Sequence, residues 1–80
     1  MKRENKILIK NSSQEYVVLT LEPWAHQYIL HPGLVLELRQ VISKEIEPIE
    51  VEYLNAGITV YTGGTVAVFC NGEELKPQFL

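Results

Sequence analysis

The chain has 80 residues, of which 46% are hydrophobic, and a formal net charge of −3 at pH 7. This length is close to the lower limit for a self-sufficient hydrophobic core, so we expect one domain over residues 1–80, frayed at residues 1–5, that gains from self-association. The mild acidity argues against nucleic acid as a partner, because a phosphate backbone is bound through a basic surface.

Polar and apolar residues alternate in short runs through the first part of the chain, a pattern typical of half-buried strands. Strands are predicted over residues 6–10, 15–22 and 26–31. Pro23 ends the second of these runs and Pro32-Gly33 ends the third. Because proline cannot donate a backbone hydrogen bond, both positions are suited to strand ends.

Residues 34–48 fit two patterns. Leu34, Leu36 and Leu38 alternate with their neighbours as in a strand, whereas Val35, Leu38, Ile42 and Ile46 fit a helical stripe. No Ser, Thr, Asp or Asn is placed to cap a helix after Pro32-Gly33. This absence favours a strand to about Gln40, followed by a loop or a single helical turn.

The second half of the chain repeats the strand pattern, with runs at 49–53, 58–61 and 65–70. Residues 62–64, Thr-Gly-Gly, are predicted to form a hairpin turn between the last two runs. Asn71-Gly72 is the strongest hairpin signal, because both central residues of a type I′ turn need a positive φ. It should return the chain through Glu73 to Leu75.

Seven or eight short, mainly antiparallel strands with tight connections predict an all-β domain, built as a small sandwich or barrel. Residues that alternate on one face of each strand should form its core. The predicted core residues are Val17, Leu19, Leu21, Tyr28, Leu30, Leu36, Leu38, Ile49, Val51, Tyr53, Ile58, Val60, Val66 and Val68.

The stretch WAHQYILHPG (24–33) holds two histidines that invite a test for a metal site. His26 and His31 are five positions apart and therefore point in opposite directions in a strand, and they diverge in a helix as well. We expect one histidine near the end of the inner face and one exposed before the Pro-Gly turn. The sequence therefore predicts no metal, with a metal-binding protein or enzyme that uses His26 or His31 as the alternative.

Other catalytic signatures are weak. Cys70 has no cationic or helix N-terminal neighbour in the sequence to lower its pKa. Because it is the only cysteine in the chain, an intramolecular disulfide is excluded. Asp is absent, which removes the usual Ser-His-Asp arrangement. We expect no catalytic residue, no cofactor and no enzymatic activity. The short apolar run at 7–9 is unlike a signal peptide or a membrane span, which predicts a soluble cytoplasmic protein.

The elements LEPW (21–24), PG (32–33), GITVY (57–61), GTVAVF (64–69) and NGEEL (71–75) resemble, in this order, a small uncharacterised bacterial all-β domain family. The resemblance runs from about residue 16 to 75 and rests on turn and core residues, so it implies the fold and transfers no function. The Pro-Gly before an apolar strand also looks like a cupin. The cupin His-x-His and spaced Glu motif is missing, so cupin metal chemistry is not implied.

By elimination, the sequence predicts a small binding module for a protein or a small ligand, with no nucleic acid and no membrane as partner. In and around the Trp24 to Gly33 segment, the residues that alternation directs outward are aromatic, Arg and His groups around an apolar centre. Interface hot spots favour this composition. The predicted partner-binding residues are Trp24, Gln27, Ile29, His31, Arg39 and Tyr61. A weak homodimer through exposed Ile29 and Val35 is a further expectation.

Overall fold

The computed structural model describes residues 3–42, 48–55 and 57–78. Within these ranges it contains eight β-strands and no helix. The strands are β1 (Arg3–Lys10), β2 (Val17–Glu22), β3 (His26–Leu30), β4 (Val35–Ile42), β5 (Glu50–Leu54), β6 (Gly57–Tyr61), β7 (Thr65–Cys70) and β8 (Glu73–Glu74).

Two four-stranded sheets pack face to face as a sandwich. The first sheet has the order β1-β4-β7-β8 and the second has the order β3-β2-β6-β5. Neighbouring strands are antiparallel except β2 and β6, which are parallel with Leu19 opposite Ile58 and Leu21 opposite Val60. The prediction of an all-β fold with seven or eight mainly antiparallel strands is confirmed, and the sandwich is the form it takes.

The core lies between the inner faces of the two sheets. Among the described residues, every buried apolar side chain was predicted to lie in the core, and these residues are Leu19, Leu21, Tyr28, Leu30, Leu36, Leu38, Val60 and Val68. Ile49, Ile58 and Val66 are half-buried and pack against this cluster. Burial of apolar area at about 25 cal/mol per Å² is the main favourable contribution to folding such a small domain.

Two predicted core residues are wrong. Val51 and Tyr53 have the same parity as the inward-facing Val60 and Ile58 of the neighbouring strand, yet their exposed fractions are 54% and 72%. β5 lies at the edge of the second sheet. Its inner-facing side chains lie beyond the edge of the core, where the described residues of the first sheet do not cover them.

The turn predicted at 62–64 is also wrong as a hairpin. β6 belongs to the second sheet and β7 to the first, so residues 62–64 carry the chain across the sandwich. Gly64 has a φ of +74°, and a Cβ atom there would lie 3.2 Å from the carbonyl oxygen of Val41. Glycine therefore fits this crossing both in conformation and in space.

The remaining local predictions agree with the described structure in part. Asn71 and Gly72 have φ values of 51° and 82° and join β7 to β8, as a type I′ hairpin requires. The strand predicted after Pro32-Gly33 is β4, which continues past Gln40 to Ile42. The loop or turn expected next falls on residues 43–47, outside the described residues. β1 begins at Arg3, within the stretch 1–5 that was expected to be frayed.

Candidate functional site

Three of the predicted partner-binding residues share the outer face of the second sheet. Ile29 lies opposite Val18, Gln27 opposite Thr20, and Tyr61 opposite Glu22. Paired residues project to the same side of a sheet, and the inner side is occupied by Leu19 and Leu21. Parity along β3 therefore predicted the orientation of Gln27 and Ile29.

Arg39 lies on the opposite surface of the molecule. It projects outward as predicted, but β4 belongs to the first sheet, so its outer face is turned away from that of β3. There the Arg39 guanidinium stacks 3.8 Å from the centre of the Phe69 ring and pairs with Glu37. The expectation that Arg39 joins Ile29 in one surface is wrong, because consecutive strands β3 and β4 were assumed to be neighbours. Val35 is separated from Ile29 in the same way.

Trp24 and His31 lie at opposite ends of β3. Trp24 lies in the loop between β2 and β3 and stacks on His26, with ring centres 6.3 Å apart. His31 follows the other end of the strand and is exposed, whereas His26 is half-buried. Among the described residues, no group of three or more His, Cys, Asp or Glu side chains is placed to hold a metal ion.

The end of the chain covers part of the outer edge of β3. The Gln78 backbone N–H donates to the carbonyl oxygen of Gln27 at 2.7 Å, and the Ile29 N–H donates to Gln78 Oε1 at 3.2 Å. These bonds satisfy backbone groups that an edge strand otherwise leaves open. Around Gln27 and Ile29, the described surface is therefore already in contact with the chain itself.

Tyr61 borders a shallow, open depression of about 440 Å³ where the second sheet meets the loops at its end. We call it the acidic depression. Its lining combines two carboxylates with two prolines and one aromatic ring, and consists of Glu22, Pro23, Pro48, Glu50, Tyr61 and Thr62. Trp24 follows Pro23 directly and is 41% exposed.

Negative charge gathers around the Tyr61 hydroxyl, which donates to Glu52 Oε1 at 3.3 Å. The pKa of Tyr61 is raised above its ordinary value, mainly by the charge of Glu52 and further by Glu22 and Glu50. Like charges nearby disfavour ionisation of the phenol, which is the physical cause of the shift. The acidic depression is thus a region of negative potential with apolar walls.

The sequence analysis placed Tyr61 in the candidate site but took Glu50 and Glu52 as an ordinary solvated face. Both are exposed on the outer face, opposite Tyr61 and Thr59. Their closeness to Glu22 depends on β2 and β5 flanking β6 in one sheet, which the spacing of these residues in the sequence does not show. A possible signal was the alternation of Glu with apolar residues in the short strand that follows Pro48.

Cys70 lies outside this region. It is half-buried and packs against the core from the end of β7.

Comparison with known proteins finds no matching family model, no matching curated protein and no matching solved structure. In the part of the chain that the structure describes, no helix has the length and apolar character needed to cross a membrane.

Proposed function

We propose that this protein is a small non-enzymatic binding module and that the acidic depression receives a cationic group, the lysine or arginine side chain of a partner protein. One observation carries the proposal. The aromatic Tyr61 and the prolines form apolar walls beside Glu22, Glu50 and Glu52, a combination that suits an ammonium or guanidinium group.

The charge distribution supports a cationic ligand. The four strands of the second sheet, as described, contain three Glu and no Lys or Arg. Their formal charge therefore equals the net charge of the whole chain, −3. Lys6, Lys10 and Arg39 belong to strands of the first sheet. A ligand of positive charge is therefore attracted to the second sheet and repelled by none of its strands.

The strength of binding follows from exposure. The depression is open to solvent, so its carboxylates act through water and are screened by salt. Cation–π contact with an exposed ring contributes about 0.5–1 kcal/mol. We expect weak, salt-dependent recognition that becomes useful when neighbouring contacts of an extended partner segment add to it.

The test is NMR titration of the uniformly ¹⁵N-labelled protein with tetralysine and, separately, with tetraglutamate. Tetralysine should shift the amide signals of Glu22, Tyr61 and Thr62, and these shifts should fade as salt is raised toward about 0.5 M. Tetraglutamate should leave them unchanged.

Glu22→Lys tests the depression, with Glu15→Lys as the matched control because it makes the same charge change at an exposed loop residue. The first variant should bind tetralysine at least about fivefold more weakly than the second, as expected for reversal of one half-buried charge at the depression. If tetralysine shifts signals elsewhere, or if both variants bind equally, the acidic depression is not the binding site.

A further inference from the structure

The second sheet has one edge strand with a free side. At one end of the strand order, β3 is covered, because Gln78 bonds to the backbone of Gln27 and Ile29. At the other end, β5 pairs with β6 alone among the described residues. An edge strand presents unpaired N–H and C=O groups along its free side. The backbone of β5 is therefore able to hydrogen bond with one more strand.

Apolar side chains of β5 lack the cover that a further strand provides. Val51 and Tyr53 lie opposite the inward-facing Val60 and Ile58, yet they are 54% and 72% exposed. Val60, one strand further from the edge, is 1% exposed. A strand added to β5 would place its own inward-facing side chains beside Val51 and Tyr53 and remove apolar area from water.

The outer face of β5 specifies the charge of such a strand. Glu50 and Glu52 project outward from alternate positions. Residues directly opposite each other on paired strands interact, and opposite charges there are stabilising whereas like charges are destabilising. A second copy of β5, paired over its full length, would place glutamate opposite glutamate. The added strand should therefore be basic at these positions and come from a different chain segment.

The same glutamates belong to the acidic depression. Glu50 lines it, and the Tyr61 hydroxyl of β6 reaches β5, where it donates to Glu52 Oε1 at 3.3 Å. A lysine or arginine placed opposite Glu50 or Glu52 thus lies beside the carboxylates and the phenol that receive a cationic group. Backbone pairing with β5 and binding of the cation then concern one partner, and Glu50 serves both.

We propose that the cationic partner of the acidic depression is an extended segment that adds to the free edge of β5 as a strand, with lysine or arginine alternating with apolar residues. This inference rests on the proposed function, since it names the form of the partner at the same site. Backbone hydrogen bonds supply affinity, and the alternate side chains supply specificity. In an antiparallel register, basic residues lie opposite Glu50 and Glu52, and apolar residues lie opposite Val51 and Tyr53.

Two capped hexapeptides of the same composition test strand addition by NMR titration of the ¹⁵N-labelled protein. The alternating peptide KVKVKV matches the pattern of β5, whereas the block peptide KKKVVV has the same charge and apolar content in another order. The alternating peptide should bind at least about fivefold more tightly, because several cross-strand pairs add to backbone pairing. With this peptide alone, the edge-facing amide hydrogens of β5 should become protected from exchange with solvent.

A pair of matched variants tests the apolar side of the added strand. Tyr53→Thr keeps a residue that favours strands and removes an exposed ring. This variant should bind KVKVKV at least about threefold more weakly than the wild type, as expected for loss of one cross-strand aromatic pair. Tyr16→Thr makes the same change at a residue that is 58% exposed and lies before β2, and it should leave the affinity unchanged.

The outcomes separate this inference from the proposed function. Equal binding of the two peptides at the acidic depression, without protection of the β5 amides, would leave the cationic site in place and refute strand addition. If neither peptide shifts the signals of Glu22, Tyr61 and Thr62, both the site and the strand are refuted. Protection of β5 that rises with protein concentration in the absence of peptide would show that a second copy occupies the edge, which also overturns the inference.

Discussion

Gln40 is the polar residue of β4 whose replacement gives the sharpest test of the fold. It is 2% exposed, and its amide uses both hydrogens: Nε2 donates to Thr62 Oγ1 at 2.7 Å and to the carbonyl oxygen of Gly63 at 3.0 Å. These bonds join β4 of the first sheet to the segment that leaves β6 of the second. Gln40→Glu keeps the shape of the side chain and removes these two donors.

The cost of Gln40→Glu depends on its charge. Each lost hydrogen bond is worth about 0.5–1.5 kcal/mol, and a buried carboxylate without a charged partner brings the total to about 3–5 kcal/mol. Burial raises the folded-state pKa of such a carboxyl above its unfolded value of about 4.3. The variant is therefore most like the wild type below pH 4.3, and the extra loss develops as the pH rises from there through the raised folded pKa.

Urea titrations at pH values from 4 to 8, followed by circular dichroism, measure the free energy of unfolding of Gln40→Glu relative to wild type. The deficit should be about 3–5 kcal/mol at pH 7 and should shrink to about 1 kcal/mol near pH 4, where a protonated carboxyl can donate one hydrogen bond. Gln14→Glu, the same change at an exposed residue, is the control and should differ little from wild type at either pH. A deficit for Gln40→Glu that is small, or that does not change with pH, would refute the assignment of Gln40 as a buried donor.

Three other predictions concern stability, each measured by urea unfolding. Leu38→Ala should lower the free energy of unfolding by about 2–5 kcal/mol because Leu38 is buried. Val51→Asp changes an exposed side chain and should lower it by at most about 1 kcal/mol. Equal losses for the two variants would contradict the position of β5. Burial, with a smaller contribution from Glu74, raises the pKa of Tyr28. The folded state therefore keeps the phenol proton to a higher pH than the unfolded chain does. As a result, the free energy of unfolding falls as the pH rises through and above the ordinary pKa of about 10. Tyr28→Phe should reduce that fall and the exposed Tyr53→Phe should not. Gly72→Ala should cost about 1–2 kcal/mol because the φ of Gly72 is +82°; no loss would argue against the type I′ turn.

Local pattern was enough to predict the strands and most of the core. In β2, β3 and β4 the inward positions are those that alternation selects, because each of these strands has one face against the core and one face outward. The Asn71-Gly72 turn was predictable for a similar reason, since the need for positive φ is a property of the turn residues themselves.

Alternation does not tell which strands are neighbours. It gives the same signal for a hairpin within one sheet and for a crossing between two sheets, and for this reason residues 62–64 and the pair Ile29 and Arg39 were misassigned. It also cannot show whether the inner face of an edge strand is covered, which is why Val51 and Tyr53 were expected in the core. All of these features depend on pairings between strands that are remote in the chain, such as the parallel pairing of β2 with β6.

The candidate site was predictable in part. Tyr61 and Trp24 were both predicted as partner-binding residues, and the structure places them at the same end of the second sheet. The carboxylates that surround Tyr61 come from β2 and β5, whose closeness follows from the sheet order alone. The charge of the acidic depression therefore could not be read from local sequence.

Two buried polar side chains, one at each end of the sandwich, connect the two sheets. Gln40 does so beside Thr62, and Asn11 does so at the other end, where its Nδ2 donates to the carbonyl oxygens of Leu30 at 2.9 Å and Glu15 at 2.7 Å. Apolar contact between sheets is non-directional and tolerates sliding, whereas hydrogen bonds have a fixed geometry and leave costly unpaired groups when they are broken. Because these bonds join the sheets at both ends, they fix the position of one sheet relative to the other.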